Sequence, residues 1–120
     1  MEFYFDFERL NVYQKSLDFI DKICDIYEKF PQDYKISIGS NLVRAALSIA
    51  NNIAEGNGKF SQKEKNRYFG ISLDSARECI SVFDGLRRRN LIDEEHYLEL
   101  RKDGKEITIM IFGLIHPKRH

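Results

Sequence analysis

The sequence predicts an all-α protein, an antiparallel up-down-up-down four-helix bundle folded as one domain over residues 1–120. Three observations carry that expectation. Apolar residues recur at alternating spacings of three and four through four separate segments. Only two prolines and seven glycines occur, which leaves long uninterrupted stretches and disfavours a many-turned β-sandwich. A chain of 120 residues suits one core rather than two. The expected helices span about 7–30, 33–55, 62–89 and 94–115.

The first helix carries Leu10, Tyr13, Leu17, Ile20, Cys24 and Tyr27 on one stripe, with Val12, Phe19, Ile23, Ile26 and Phe30 beside it. Two adjacent stripes mean contact with two neighbouring helices. Pro31 stops it. In the second helix Leu42, Ala46, Ile49 and Ile53 form one seam, and Val43, Leu47, Ala50 and Ala54 another. Gly56 is expected to end it in the left-handed conformation. Ser61 and Glu64 have the spacing of a capping box at the start of the third helix. Phe69, Leu73, Ala76, Ile80 and Phe83 follow as its apolar face. Arg87, Arg88 and Arg89 close it, cations against the negative end of the helix dipole. Asp93 caps the fourth helix, with Glu94 and Glu95 in its first turn. Tyr97, Leu100, Gly104, Ile107, Ile111 and Leu114 then repeat at helical spacing, although 107–115 read alone would also suit a buried strand.

Hydrophobic residues at 42% and charged residues at 32% describe a globular chain rather than a disordered one. Nineteen basic side chains balance nineteen acidic ones, so no global basic field announces a nucleic-acid binder. The start of the chain lacks the basic-then-apolar order of a secretory signal. The longest apolar run, 107–115, is about half a bilayer span. A cytoplasmic protein is expected. Cys24 and Cys79 form no CxxC pair and suit small apolar packing roles.

Polar residues mark the second helix. Arg44, Ser48, Asn51, Asn52 and Glu55 share one stripe opposite the Leu42–Ile53 seam. Spacing alone permits a solvated face. The shortage of Lys and Glu there argues against full exposure, since Arg44 and Glu55 are the only charges between Asn41 and Glu55.

The segment LVRAALSIANNIAEGNGKFSQKE, Leu42 to Glu64, resembles the hallmark of the 23S rRNA-intervening-sequence protein family, also called four-helix-bundle proteins. The matching positions are Arg44, Ala45, Ala46, Ser48, Ile49, Asn52, Ile53, Ala54, Glu55, Gly56, Gly58, Lys59, Ser61 and Glu64. Upstream Leu10, Val12, Tyr13, Gln14 and Phe30-Pro31 fit the same family, as do Ser75, Ala76 and Glu78 downstream. Val43 departs from it where a second Arg is common, and Asp74 replaces a small residue. The resemblance implies a helical bundle that assembles into a ring, usually a homopentamer. A related branch comprises accessory proteins of diversity-generating retroelements, which bind structured RNA and a reverse transcriptase.

Folding the second helix against the third about residues 58–59 sets Ser48 near Gly70 and Arg44 near Asp74, Ser75 or Glu78. A partly buried ion pair of Arg44 with Asp74 or Glu78 is expected, with Ala45, Ser48, Gly70 and Ser75 allowing close approach. Losing one partner of such a buried pair would cost roughly 3–5 kcal/mol.

Charge is uneven along the chain. Residues 1–30 hold four basic and seven acidic side chains, a net −3; residues 61–90 hold seven and four, a net +3. Lys59, Lys63, Lys65, Arg67, Lys118 and Arg119 are expected to gather at one end, and Arg87, Arg88 and Arg89 at the other. Either cluster, repeated around a ring, would offer phosphates a basic surface. Solvated helix ends are the plainer reading.

No catalytic, metal or cofactor set is expected. A di-iron bundle needs two Glu-x-x-His pairs, and this chain offers only Asp93-x-x-His96. Gly56-Asn57-Gly58-Lys59 lacks the phosphate-loop spacing. Arg89 followed by His96 fits the Arg-x₄₋₆-His pattern of HEPN-type ribonucleases, but nine arginines make chance matches common. The sequence therefore points to a non-enzymatic oligomeric scaffold with RNA or a nucleic-acid enzyme such as a reverse transcriptase as partner. An interaction protein with a protein partner and a HEPN-like ribonuclease are the alternatives.

Overall fold

Where side chains cannot continue a helix regularly, the chain departs from the α geometry its apolar spacing would dictate, and the computed structural model shows where across residues 2–118. A 3-10 turn, Asp6–Arg9, comes first. The Glu8 carboxylate accepts from the Phe5 N–H at 3.1 Å, and Gln14 donates to the Glu8 carbonyl at 2.9 Å. Those bonds hold the turn apart, so helix α1 spans Asn11–Glu28 and does not begin at residue 7.

Pro31 breaks the chain as expected. Beyond it one helical turn, Gln32–Tyr34, widens into a π-helical stretch, Lys35–Gly39. The Ser40 N–H there reaches back five residues to the Lys35 carbonyl. Helix α2 then runs Ser40–Asn57. Gly39 allows this entry, because a Cβ on it would lie 2.7 Å from the Tyr27 ring.

Helix α2 passes through Gly56, and no glycine among the described residues has positive φ. The expected left-handed end at Gly56 is therefore wrong. Gly56 is buried under Phe69, whose ring carbons would stand 2.7 and 2.9 Å from an added Cβ.

Helix α3 spans Gln62–Arg88, with the Ser61 hydroxyl accepting from the Glu64 N–H at 3.1 Å. Its end is a Schellman turn. Leu91 N–H bonds to the Leu86 carbonyl at 2.9 Å and Asn90 N–H to the Arg87 carbonyl at 3.2 Å. Asn90 supplies the left-handed residue, φ 59°. Helix α4 spans Glu94–Ile115 without a strand-like portion. Its cap Asp93 accepts from the His96 N–H at 2.8 Å.

Each helix packs on two neighbours, α1 on α2 and α4, and α3 on α2 and α4. Cross-helix bonds give the direction. Lys22 Nζ meets Asp103 at 2.7 Å and Glu99 at 2.9 Å, while Lys15, earlier in α1, meets Glu106, later in α4, at 2.7 Å. The α1–α4 pair is thus antiparallel. Asp84 accepts from Tyr97 and Arg101 across α3–α4 at 2.6 and 2.8 Å. The core between the helices holds Phe19, Ile23, Leu42, Ile49, Ile53, Phe69, Phe83, Leu100, Ile107 and Ile111. Of the two α1 stripes, Val12, Phe19 and Ile23 enter this core; Tyr13, Leu17, Cys24 and Tyr27 stay half-buried. Gly104 lets the Ile80 side chain come within 2.8 Å of where a Cβ would sit.

Candidate functional site

The α2–α3 seam holds a short polar ladder. Ser72 Oγ donates to the Ile49 carbonyl at 2.8 Å, and Ser75 Oγ donates to Ser48 Oγ at 2.8 Å. Asn52 donates to the Ser48 carbonyl and hydroxyl at 2.9 and 3.1 Å. Among the described residues no buried side-chain polar atom lacks a partner. A satisfied ladder of this kind fixes the register of two helices whose apolar faces would otherwise slide.

That register differs from the one expected. Ser48 faces Ser75 rather than Gly70, because α2 continues to Asn57 and the turn moves toward Ser61. A Cβ on Gly70 would meet nothing within 4 Å, so Gly70 has no part in the close approach. Ala45 is buried in the core, and Ser75 is buried at the seam. Ser72, a buried hydroxyl absent from the sequence reading, supplies the deepest bond of the ladder.

Arg44 meets Glu78 at 2.7 Å, but the pair lies on the surface, with side chains 62% and 43% exposed. The expectation of partial burial is corrected. An exposed pair contributes about 0–1 kcal/mol rather than the cost of a broken buried pair. Asp74 is exposed and takes no part in the Arg44 pair.

The rest of the motif stripe opens outward. Arg44, Leu47, Ser48, Asn51 and Asn52 line a shallow groove of about 800 Å³, completed by Ser40 and Val43 and by Cys24, Tyr27 and Glu28 of α1. Leu47 is exposed in the middle of it. Glu55 lies exposed one turn beyond. Burial raises the Cys24 thiol pKa, helped by the charges of Asp21, Asp25 and Glu28. Cys79, fully buried behind the same helix pair, is pushed up to about 12, chiefly by desolvation. Neither thiol is poised as a nucleophile.

A second bare face lies on α4. Leu98, Ile109 and Phe112 are each more than half exposed. Lys102 and Lys105 stand between them on the same stripe, both exposed. Helices α2 and α4 stand diagonally across the bundle, as α1 and α3 do, so these faces lie on different sides of it.

The basic residues divide between the ends. Gln62 donates to the Leu114 carbonyl at 3.0 Å, which brings the α2–α3 turn with Lys59, Lys63, Lys65 and Arg67 beside the end of α4 and Lys118. Asn57 donates to Asp6, which adds the N-terminal turn to this end. Arg119 lies outside the described residues. Arg87, Arg88 and Arg89 sit at the far end, on the Schellman turn. His96 is held there by Asp93, with Nδ1 2.7 and 2.9 Å from its oxygens. The two small clefts beside His96 are lined by Lys29, Ile26 and their neighbours, and Arg89 lines neither.

Comparison with known proteins agrees with this architecture. A family model described as 23S rRNA-intervening sequence protein matches residues 8–113. A crystal structure of a protein with unknown function from the S23 ribosomal protein family of Bacteroides thetaiotaomicron is similar, with a TM-score of 0.80 and 25% identity. The match covers 88% of this chain and 98% of that one. No curated protein matches the chain. Among the described residues no helix is long and apolar enough to cross a membrane.

Proposed function

The chain belongs to the 23S rRNA-intervening sequence protein family, and from that premise we propose that it is a non-enzymatic, homo-oligomeric helical scaffold of the cytoplasm. A pentameric ring is the form proposed. Its partner class is structured RNA, or a nucleic-acid enzyme such as a reverse transcriptase, as in the retroelement accessory proteins the family resembles.

The observation that carries the assembly is the pair of unlike faces on α2 and α4. Leu47 on the first and Leu98, Ile109 and Phe112 on the second stand in water, which a monomer gains nothing by doing. The two faces differ, so contact between them is heterologous, and repeated heterologous contacts of suitable angle close into a ring. Charge supports the match. Glu28 and Glu55 flank the α2 groove, whose one cation, Arg44, is paired with Glu78, while Lys102 and Lys105 punctuate the α4 face.

Light scattering on gel-filtered protein tests this. The intact chain is expected to run as a multimer. Leu47→Asp and Phe112→Asp, each spoiling one face, are expected to run as folded monomers by circular dichroism. Mixed in equal amounts they should form a dimer and nothing larger, since one good face of each remains. A monomeric intact chain overturns the scaffold, and a mixture that stays monomeric overturns the α2-to-α4 contact. Absorbance at 260 nm that travels with the multimer at low salt, and is lost to ribonuclease or high salt, is the result expected for an RNA partner.

A further inference from the structure

The turn from α2 to α3 exposes what a folded chain ordinarily hides. Phe60 is 100% exposed, more so than any other large apolar side chain described. It sits between Lys59 and the Ser61 cap, on a backbone held by the Lys59 N–H bond to the Gly56 carbonyl at 3.1 Å. The ring is thus presented by an ordered turn rather than a loose tail.

Cations share this turn. The Lys59 ammonium lies 5.0 Å from the centre of the Tyr68 ring, and the Arg67 guanidinium 5.9 Å from the same ring. Lys63 is exposed in the first turn of α3. Between residues 55 and 67 four cations face two carboxylates, Glu55 and Glu64. The N-terminal turn adds two carboxylates to this end, held on neutral donors, with Asp6 accepting from the Asn57 side chain and Glu8 from the Phe5 N–H. The far end carries the three consecutive arginines but no comparably exposed aromatic ring.

A bare aromatic ring among cations is the recurring device for holding unpaired bases, because every base has a face to stack and every linkage a phosphate to neutralise. A duplex hides its base faces, so a single protruding ring has nothing to stack on there. A protein partner would favour the α2 and α4 faces, which present several bared or half-bared apolar side chains along a helix rather than one ring at a turn.

We propose that the α2–α3 turn is a stacking site for unpaired bases of single-stranded RNA. Phe60 takes the base, and Lys59 and Arg67 take the flanking phosphates. This rests on the RNA reading above and narrows it to one end of the bundle and one form of nucleic acid.

Fluorescence anisotropy with labelled oligouridine and a labelled blunt-ended RNA duplex of equal length tests it, on the full chain in its native assembly. Oligouridine is expected to bind more tightly than the duplex. Phe60→Ala should weaken oligouridine binding by about 5- to 140-fold, the range for one lost stacked base, with the salt slope unchanged. Phe60→Trp should restore it. Lys59→Ala with Arg67→Ala should flatten the salt slope. Substituting Arg87, Arg88 and Arg89 by Ala should change little. Equal binding of the duplex, indifference to Phe60, or a smaller particle mass in Phe60→Ala each overturns the stacking site; the last would make Phe60 an assembly contact. Binding that depends on the three arginines instead would leave the RNA reading standing without this site. Binding of neither RNA would remove both.

Discussion

At residue scale two glycines fifteen positions or fewer apart have opposite meanings. Gly56 lies beneath the Phe69 ring and 3.1 Å, measured from an added Cβ, from the Lys65 carbonyl. Phe69 is buried and has nowhere to move. Gly70 faces open space. Gly56→Ala should therefore lower stability by roughly 1–3 kcal/mol through overpacking, while Gly70→Ala should raise it by about 0.5–1 kcal/mol through helix propensity. Urea unfolding of both variants checks the opposed signs. The sequence told that Gly56 mattered and misread the reason. A glycine after an apolar seam looks the same whether it turns the chain or clears room for a ring thirteen residues later. Spacing brought Arg44 to one seam with Asp74 and Glu78 but did not choose between them; nor was the exposure of the pair legible, since it depends on how far each stands from the crossing line.

At the scale of elements, the bounds of α3 and α4 were readable, and the starts of α1 and α2 were not. Ser61 and Asp93 announce themselves because capping is a local exchange between a side chain and an amide three residues on. Asp93 also makes a pH prediction. Its carboxyl pKa lies below the usual 3.8, chiefly because it accepts from the His96 N–H, and then because it bonds the His96 ring. A depressed acid stabilises the fold above its unfolded pKa and loses that contribution as pH falls through the folded value. Asn caps about as well and does not titrate. Asp93→Asn should match the wild type in melting temperature near pH 5 apart from the lost ring bond, and the gap should close or reverse below pH 3.8. Thermal melts from pH 5 to 2.5 read this. The 3-10 turn, the π-helical stretch and the Asn90 Schellman turn escaped the sequence reading. Three consecutive arginines marked the end of α3, but choosing Asn90 for the left-handed position needs the Leu91 bond back to Leu86.

For the whole molecule, the surplus of apolar residues on α1 and α4 was legible, and its disposition was not. One α1 stripe went mostly into the core and the other, apart from Ile20, stayed half-buried, whereas α4 kept Leu98, Ile109 and Phe112 outward. Periodicity counts apolar faces; only the packing decides which of them finds a neighbour inside the chain. Stability should accordingly depend on protein concentration, because assembly binds the folded state alone. The melting temperature of the intact chain should climb over a hundredfold rise in concentration, and that of Phe112→Asp should stay flat. The π-helical stretch before α2 bears on how such a chain tolerates changes of length. A π turn accommodates one residue more than the α-helix it interrupts. Removing Ser37, exposed within Lys35–Gly39, would convert the stretch to ordinary helix and leave the faces on both sides in phase. A deletion elsewhere in α2 would rotate every upstream side chain by about 100°. The segment is thus a splice point at which the loss of a single codon leaves the bundle's wiring intact.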